Sequence, residues 1–314
     1  MTNEPLAAPL KPSEVLAQVA GAVPEQVRGN IIVCGSLAAA YNFFSGDGAA
    51  SLRTKDVDVL FSPHAVAVDA AVEVTERLLA ANWTQREDVQ FGKAGRPEDK
   101  TEDLPVVRLR PPAGAEPAQW FLELLSAPPD YRAGAEAKTH QRLRTSAGDF
   151  TIPSFAFLAL AEWQPMKTKH GVLIARPEMM ALANMLHHPK ISDVLIKGTN
   201  WKRSNKDLGR VLALAFLTLE RDRREGTDDF DHWAERMWDA LREKFDGDAG
   251  KLALGAGSGL DALLASQHDL IQALRIANVG LLASLDVGMA AIEATGRRFR
   301  AEVLEPLSKL AAVD

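Results

Sequence analysis

The chain has 314 residues, enough for two domains or one large one, and its 46% hydrophobic and 25% charged residues are ordinary for a globular protein. A formal net charge of -6 argues against a uniformly basic nucleic-acid binder, although a net figure does not describe any one face. The single cysteine, Cys34, excludes an internal disulfide framework and fits a reducing compartment. No apolar run approaches the roughly 20 residues needed to cross a bilayer, and no signal-peptide pattern is apparent, so the sequence reads as cytoplasmic with no membrane partner.

Residues 1–27 read as a flexible lead-in followed by an amphipathic stretch from Ser13 to Val27. Asn30-Ile31-Ile32-Val33-Cys34 is a short apolar run ending at Gly35-Ser36, the pattern of a buried strand entering a tight turn. Leu37 to Phe44 is helix-like until Ser45-Gly46-Asp47-Gly48 breaks it. Val57 to Phe61 forms a second strand, and His64 to Asn82 a long helix with Val68, Val72 and Leu79 on one face. Further strands are expected at Val106–Leu109, Phe121–Leu125, Gln141–Thr145 and Phe150–Ile152, with an exposed polar loop over 92–104.

The pattern changes after Pro153. Helical periodicity appears at Phe155–Trp163, a short strand at Val172–Ala175, and Pro177 suits the first turn of the next helix. About five helices are expected between Pro177 and Ala311. The fold class predicted is α+β: a mixed sheet with flanking helices over 28–152, then a mainly α-helical domain over 153–314. The glycine cluster Gly255-Ala256-Gly257-Ser258-Gly259 lacks both a preceding strand and a Gly-Lys-Ser/Thr ending, so it reads as a helix–helix linker and not a phosphate loop.

The chemistry is concentrated in Gly35-Ser36 and Lys55-Asp56-Val57-Asp58-Val59. On a strand, residues i and i+2 share a face, so Asp56 and Asp58 project together while Val57 and Val59 face the core. Two carboxylates at about 4 Å repel by on the order of 4 kcal/mol at an effective dielectric near 20, a cost that a divalent cation removes. Magnesium suits such a pair, because it takes oxygen ligands and commonly combines one or two carboxylates with substrate phosphates. Gly35 permits close backbone approach to a phosphate, and Ser36 at a helix start offers its hydroxyl and N–H.

Strand, Gly-Ser, helix, strand and Asp-x-Asp in this order resemble the nucleotidyltransferase superfamily, which shares a core with DNA polymerase β. The matching pieces are Val33-Cys34-Gly35-Ser36 and Thr54-Lys55-Asp56-Val57-Asp58-Val59-Leu60-Phe61. The wording Arg53-Thr54-Lys55-Asp56-Val57-Asp58 is most similar to the AbiEii-type toxin group. The resemblance implies two magnesium ions at Asp56 and Asp58, with a nucleoside triphosphate whose phosphates lie at Gly35-Ser36. It also implies a third carboxylate from a later strand. Glu123, the one charge in Trp120-Phe121-Leu122-Glu123-Leu124-Leu125-Ser126, is the candidate for completing the site or acting as base. The acceptor implied is RNA, including tRNA, or a protein hydroxyl; an antitoxin partner and self-association stay open.

The toxin group carries a helical lysine and then a Lys-Asp segment. Here the lysine position reads as Asn184, the segment as Lys206-Asp207, and the second acid as Arg210. Lys206 is the nucleotide-binding candidate, with Lys190 as its substitute. Nineteen residues separate Ser36 from Asp56, and Ser45–Ser51 reads as a loop insertion. Two other readings stand beside the first. One is a degenerate nucleotide-binding or regulatory interaction module, favoured by Asn184 and Arg210; the other is an aminoglycoside-type adenylyltransferase, which needs an acidic acceptor cleft.

Weaker candidates have plainer explanations. His187 and His188 diverge by about 100 degrees on a helix and do not chelate together with Asp193. Lys167-Thr168-Lys169-His170 and the basic stretch from Lys197 to Lys206 read as solvated segments. Arg221–Arg224 reads as a solvated helix end, Trp233 and Trp238 as core, and Cys34 as an inert buried thiol.

Overall fold

The computed structural model describes residues 10–44, 54, 56–86, 93–112, 120–127, 139–196 and 198–313. Their contacts divide into two compact units. One holds the described residues of Leu6–Tyr41 and Thr54–Ala175; the other holds those of Asn42–Arg53 and Arg176–Asp314. The break anticipated at Ser45–Ser51 lies outside the described residues, as does Lys55.

The first unit is built on a mixed sheet. Its strands are β1 (Ile31–Val33), β2 (Asp56–Phe61), β3 (Thr84–Gln85), β4 (Arg108–Arg110), β5 (Phe121–Ser126), β6 (Thr139–Thr145), β7 (Gly148–Ser154), β8 (Met166–Lys167) and β9 (Leu173–Ile174). The hydrogen-bonded order is β3-β4-β5-β2-β1-β9-β8, and the β6–β7 hairpin joins through β7 to β5. β2 runs antiparallel to β1 and parallel to β5, which is antiparallel to β4. Helices α1 (Pro12–Ala22), α2 (Gly35–Phe44) and α3 (His64–Ala80) accompany these strands.

Strand burial follows residue type. Val57, Val59, Leu109, Leu122 and Leu124 are each at most 1% exposed, whereas Asp56, Asp58, Arg108 and Glu123 are half-buried. A face that packs against the core therefore alternates with one that meets solvent. Trp83 and Trp120 close part of this core edge-to-face at 5.7 Å.

Several elements depart from expectation for local reasons. The helix expected over Ser13–Val27 ends at Ala22, because Val23 precedes Pro24 and takes extended backbone, and 25–30 coil into a 3-10 turn. Residues 156–162 form a 3-10 segment and not an α-helix. Pro153 lies inside β7, and this unit continues through β8 and β9 to Ala175.

The second unit is helical: α4 (Pro177–His187), α5 (Arg203–Glu225), α6 (Trp233–Phe245), α7 (Ala249–Gly255), α8 (Ser258–Ala265), α9 (Gln267–Val279), α10 (Met289–Phe299) and α11 (Glu305–Val313). These exceed the expected five because Gly255–Ser258 and Ser266 break what reads as continuous helical periodicity. Pro177 occupies the first turn of α4, and Ser266 caps α9 by accepting the Asp269 N–H. Phe230, Trp233 and Phe299 pack together with ring centroids 5.2–6.1 Å apart at the centre of this unit.

Candidate functional site

Gly35 and Asp58 meet at a close approach in the first unit. Gly35 opens α2 with φ +69, the left-handed region that glycine enters without strain. A Cβ built on Gly35 would stand 2.5 Å from Asp58 Oδ2. The carboxylate therefore occupies the space that a side chain would take, directly against the start of a helix. Behind it the Cys34 N–H donates to the Asp58 carbonyl at 2.9 Å, which locks the end of β1 to the middle of β2. Burial raises the Cys34 thiol pKa, and the Asp58 carboxylate raises it further, so Cys34 stays a neutral thiol.

Asp56 and Asp58 both lie on β2, two residues apart and half-buried, separated by the buried Val57. The Thr54 hydroxyl, from a residue only 8% exposed, lies 2.8 Å from Asp56 Oδ1 and 3.2 Å from the Asp56 carbonyl. Ser36 is half-buried in the first turn of α2. Adjacent strands thus present, on one side, the helix start that follows β1 and the two carboxylates of β2.

Glu123 is the parallel register partner of Asp58 on β5, so both side chains emerge on the same face. Its carboxylate is engaged elsewhere: Arg108 on β4, its antiparallel register partner, donates from Nε to Glu123 Oε2 at 2.6 Å. The two side chains are 17% and 13% exposed. Among the described residues no group of three or more His, Cys, Asp or Glu is placed to hold a metal ion. Asp56 and Asp58 are the carboxylates that β2 itself supplies among the described residues, and such a pair suits a cation whose remaining ligands include substrate phosphates and water.

The residues expected to grip nucleotide from the helices lie in the second unit. Lys206 is half-buried in the first turns of α5. Asn184, in α4, donates from its side chain to the Met180 carbonyl at 2.7 Å, one turn back along its own helix. Asp207 is 8% exposed and lies 3.0 Å from His187 Nδ1. His188 packs against Gly259, while Asp193 is exposed. Gly255–Ser258 joins α7 to α8, the linker position expected of it.

Arg86, Arg108, Arg110 and Phe121 belong to the carboxylate face without having been singled out as site residues. The signal for Arg108 and Arg110 is present in Val107-Arg108-Leu109-Arg110, which alternates as Asp56-Val57-Asp58-Val59 does; Arg86 and Phe121 join them only through strand register.

No family model matches the chain, and no curated protein matches it. Among solved structures, an antigenic nucleotidyltransferase-like protein from Paracoccidioides brasiliensis aligns at 14% identity and a TM-score of 0.35, over 86% of this chain and 95% of that one. The Bradyrhizobium diazoefficiens CD-NTase CdnG, in complex with GTP, aligns at 12% identity and a TM-score of 0.20, over 96% and 98%. A likeness of this degree carries no weight for the chemistry, which stands on the geometry.

Proposed function

We propose that the chain is a nucleotidyltransferase that moves a nucleotide from a nucleoside triphosphate to an acceptor hydroxyl. The observation that carries this reading is the contact of Asp58 with Gly35: a carboxylate and a helix start share one space with no side chain between them. Asp56 and Asp58 would hold magnesium, and the Gly35-Ser36 amides with the Ser36 hydroxyl would cradle the triphosphate. When bound, the ion supplies charge neutralisation on the phosphates and a lower pKa for a bound hydroxyl. Thr54 fixes the Asp56 carboxylate so that the pair is held in place before substrate arrives. The acceptor in this reading is RNA, including tRNA, or a protein hydroxyl, as the AbiEii-type resemblance implies.

A second reading, nucleotide binding without transfer, is favoured by Asn184, whose amide is spent on its own helix where a lysine is expected. The double variant Asp56→Asn/Asp58→Asn keeps side-chain shape and removes two charges. In the first reading it loses manganese binding, followed by electron paramagnetic resonance, together with metal-dependent triphosphate binding and transfer of label from α-labelled triphosphates. It folds as well as the parent, because repulsion between the acids is relieved. Metal-dependent triphosphate binding that survives the double substitution in a folded protein refutes the Asp-pair metal site and with it the first reading. Loss of that binding in the double variant, with a parent that binds triphosphate but labels no RNA or protein, leaves the second.

A further inference from the structure

The strand registers line up two rows of side chains across one face of the sheet. Asp58 on β2 pairs with Glu123 on β5, which pairs with Arg108 on β4. Continuing the β3–β4 register, Thr84↔Arg110 and Gln85↔Leu109, by one residue sets Arg86 beside Arg108, and the Arg86 N–H donates to the Arg108 carbonyl at 2.7 Å. In the second row Asp56 pairs with Phe121, and the β4–β5 register continues to Arg110. The intervening row, Val57, Leu122 and Leu109, is buried on the opposite face.

The face is therefore polarised along the sheet. Gly35-Ser36 flank the Asp pair on the β1 side, and three arginines lie on the β4 side: Arg108 and Arg110 on β4, about two strand spacings or ~10 Å from β2, and Arg86 beyond them at the end of β3, about three spacings away. The arginines are supported. The Arg86 and Arg108 guanidiniums lie 4.4 and 5.8 Å from the Phe121 ring centroid, and Glu123 binds Arg108. Arg110 is exposed. Planar guanidiniums stacked on an aromatic ring and aimed by a carboxylate are suited to binding phosphate.

We propose that Arg86, Arg108 and Arg110 form a phosphate subsite for the acceptor, and that Glu123 is a positioning residue for Arg108 and not a ligand of the cation at the Asp pair. This rests on the nucleotidyltransferase reading and deepens it. The triphosphate occupies the β1 side, so the substrate on the β4 side is the acceptor, and it carries a phosphate near its hydroxyl. A polycationic small-molecule acceptor is repelled there.

The test uses the full chain and separates the metal from the phosphate. Manganese affinity is measured by electron paramagnetic resonance. Binding of two fluorescent probes, a nucleoside monophosphate and a twelve-residue single-stranded RNA, is measured by anisotropy in EDTA. Arg86→Gln/Arg110→Gln should weaken the tighter-binding probe about tenfold, flatten its salt dependence, and leave manganese affinity unchanged. Glu123→Gln should leave manganese affinity within twofold. Whichever probe the arginine pair governs identifies the phosphate as that of a free nucleotide or of a chain. Unchanged affinity for both probes in a folded Arg86→Gln/Arg110→Gln variant, including the case where a polypeptide is the labelled acceptor, overturns the subsite. A Glu123→Gln variant that loses manganese as fully as Asp58→Asn overturns the positioning role. Asp56→Asn/Asp58→Asn that still binds manganese defeats the functional reading alone, because probe binding in EDTA reports the arginines separately.

Discussion

Gly35 is constrained twice, by its left-handed backbone and by the Asp58 carboxylate in the space of its missing Cβ. An alanine there incurs about 1–2 kcal/mol of backbone strain before any clash is counted, and relief of the clash displaces Asp58. Gly35→Ala should therefore lower the melting temperature by several degrees and abolish metal-dependent triphosphate binding. Gly29→Ala, at a glycine with nothing within 4 Å of an added Cβ, should do neither. Calorimetry and a triphosphate titration on the two variants check this; a Gly35→Ala protein that binds triphosphate normally refutes the cradle. The same residues show what the sequence makes legible. Asp-x-Asp is readable because a strand has a period of two, and the buried Val57 and Val59 mark the opposite face. The engagement of Glu123 is not readable, because its partner Arg108 lies 15 residues earlier and meets it only through strand register.

Among the elements, long periodic segments read best. The helix expected over His64–Asn82 is α3, and the strands expected at Gln141–Thr145 and Phe150–Ile152 are the two arms of the longer β6–β7 hairpin. β3 and β8 have two residues each, too few for any periodicity; β3 is held by pairing with the distant β4, and β8 by pairing with β9, the strand expected at Val172–Ala175. Close helix packing is equally invisible in one dimension. At Gly209, in the first third of α5, an added Cβ would come within 2.8 Å of the Ala273 carbonyl on α9, and backbone cannot yield as a flexible side chain can. Gly209→Ala should destabilise the protein by about 1–3 kcal/mol, as overpacked cores do. At Gly226, the left-handed cap where the N–H groups of Gly226 and Thr227 donate to the Asp222 carbonyl, alanine should cost about 1 kcal/mol. Urea denaturation of both variants tests the order; a Gly209→Ala protein as stable as the parent shows that α5 and α9 are not held at backbone contact.

At the scale of the molecule, composition and the change of periodicity foreshadow a sheet-containing part and a helical part; the strand expected at Val172–Ala175 is β9, and what does not read in one dimension is its pairing with the distant β1, which keeps residues up to Ala175 with the sheet. Both units hold a histidine that folding keeps neutral. Burial lowers the pKa of His170, with Lys169 adding to it. For His188 burial also leads, with His187 lowering the value further and Asp207 opposing. A histidine whose folded pKa lies below its ordinary 6.5 binds protons more readily when unfolded. Its stabilising contribution is complete above about pH 6.5 and is lost as pH falls through that value toward the folded pKa. Asp269 behaves the same way lower on the scale. Burial pushes its pKa up, but hydrogen bonds from Asn205, Lys202 and Ser266 outweigh it, so its loss begins only near its ordinary 3.8. Between pH 5 and 6.5 the histidines therefore act without it. The melting temperature should be flat from pH 8 to 7 and fall from 6.5 to 5, and the fall should be shallower in His170→Gln and His188→Asn, whatever their absolute stabilities. Melts at constant ionic strength across this range decide the matter: a midpoint that holds level or rises toward pH 5 shows that neither histidine is kept neutral by the fold.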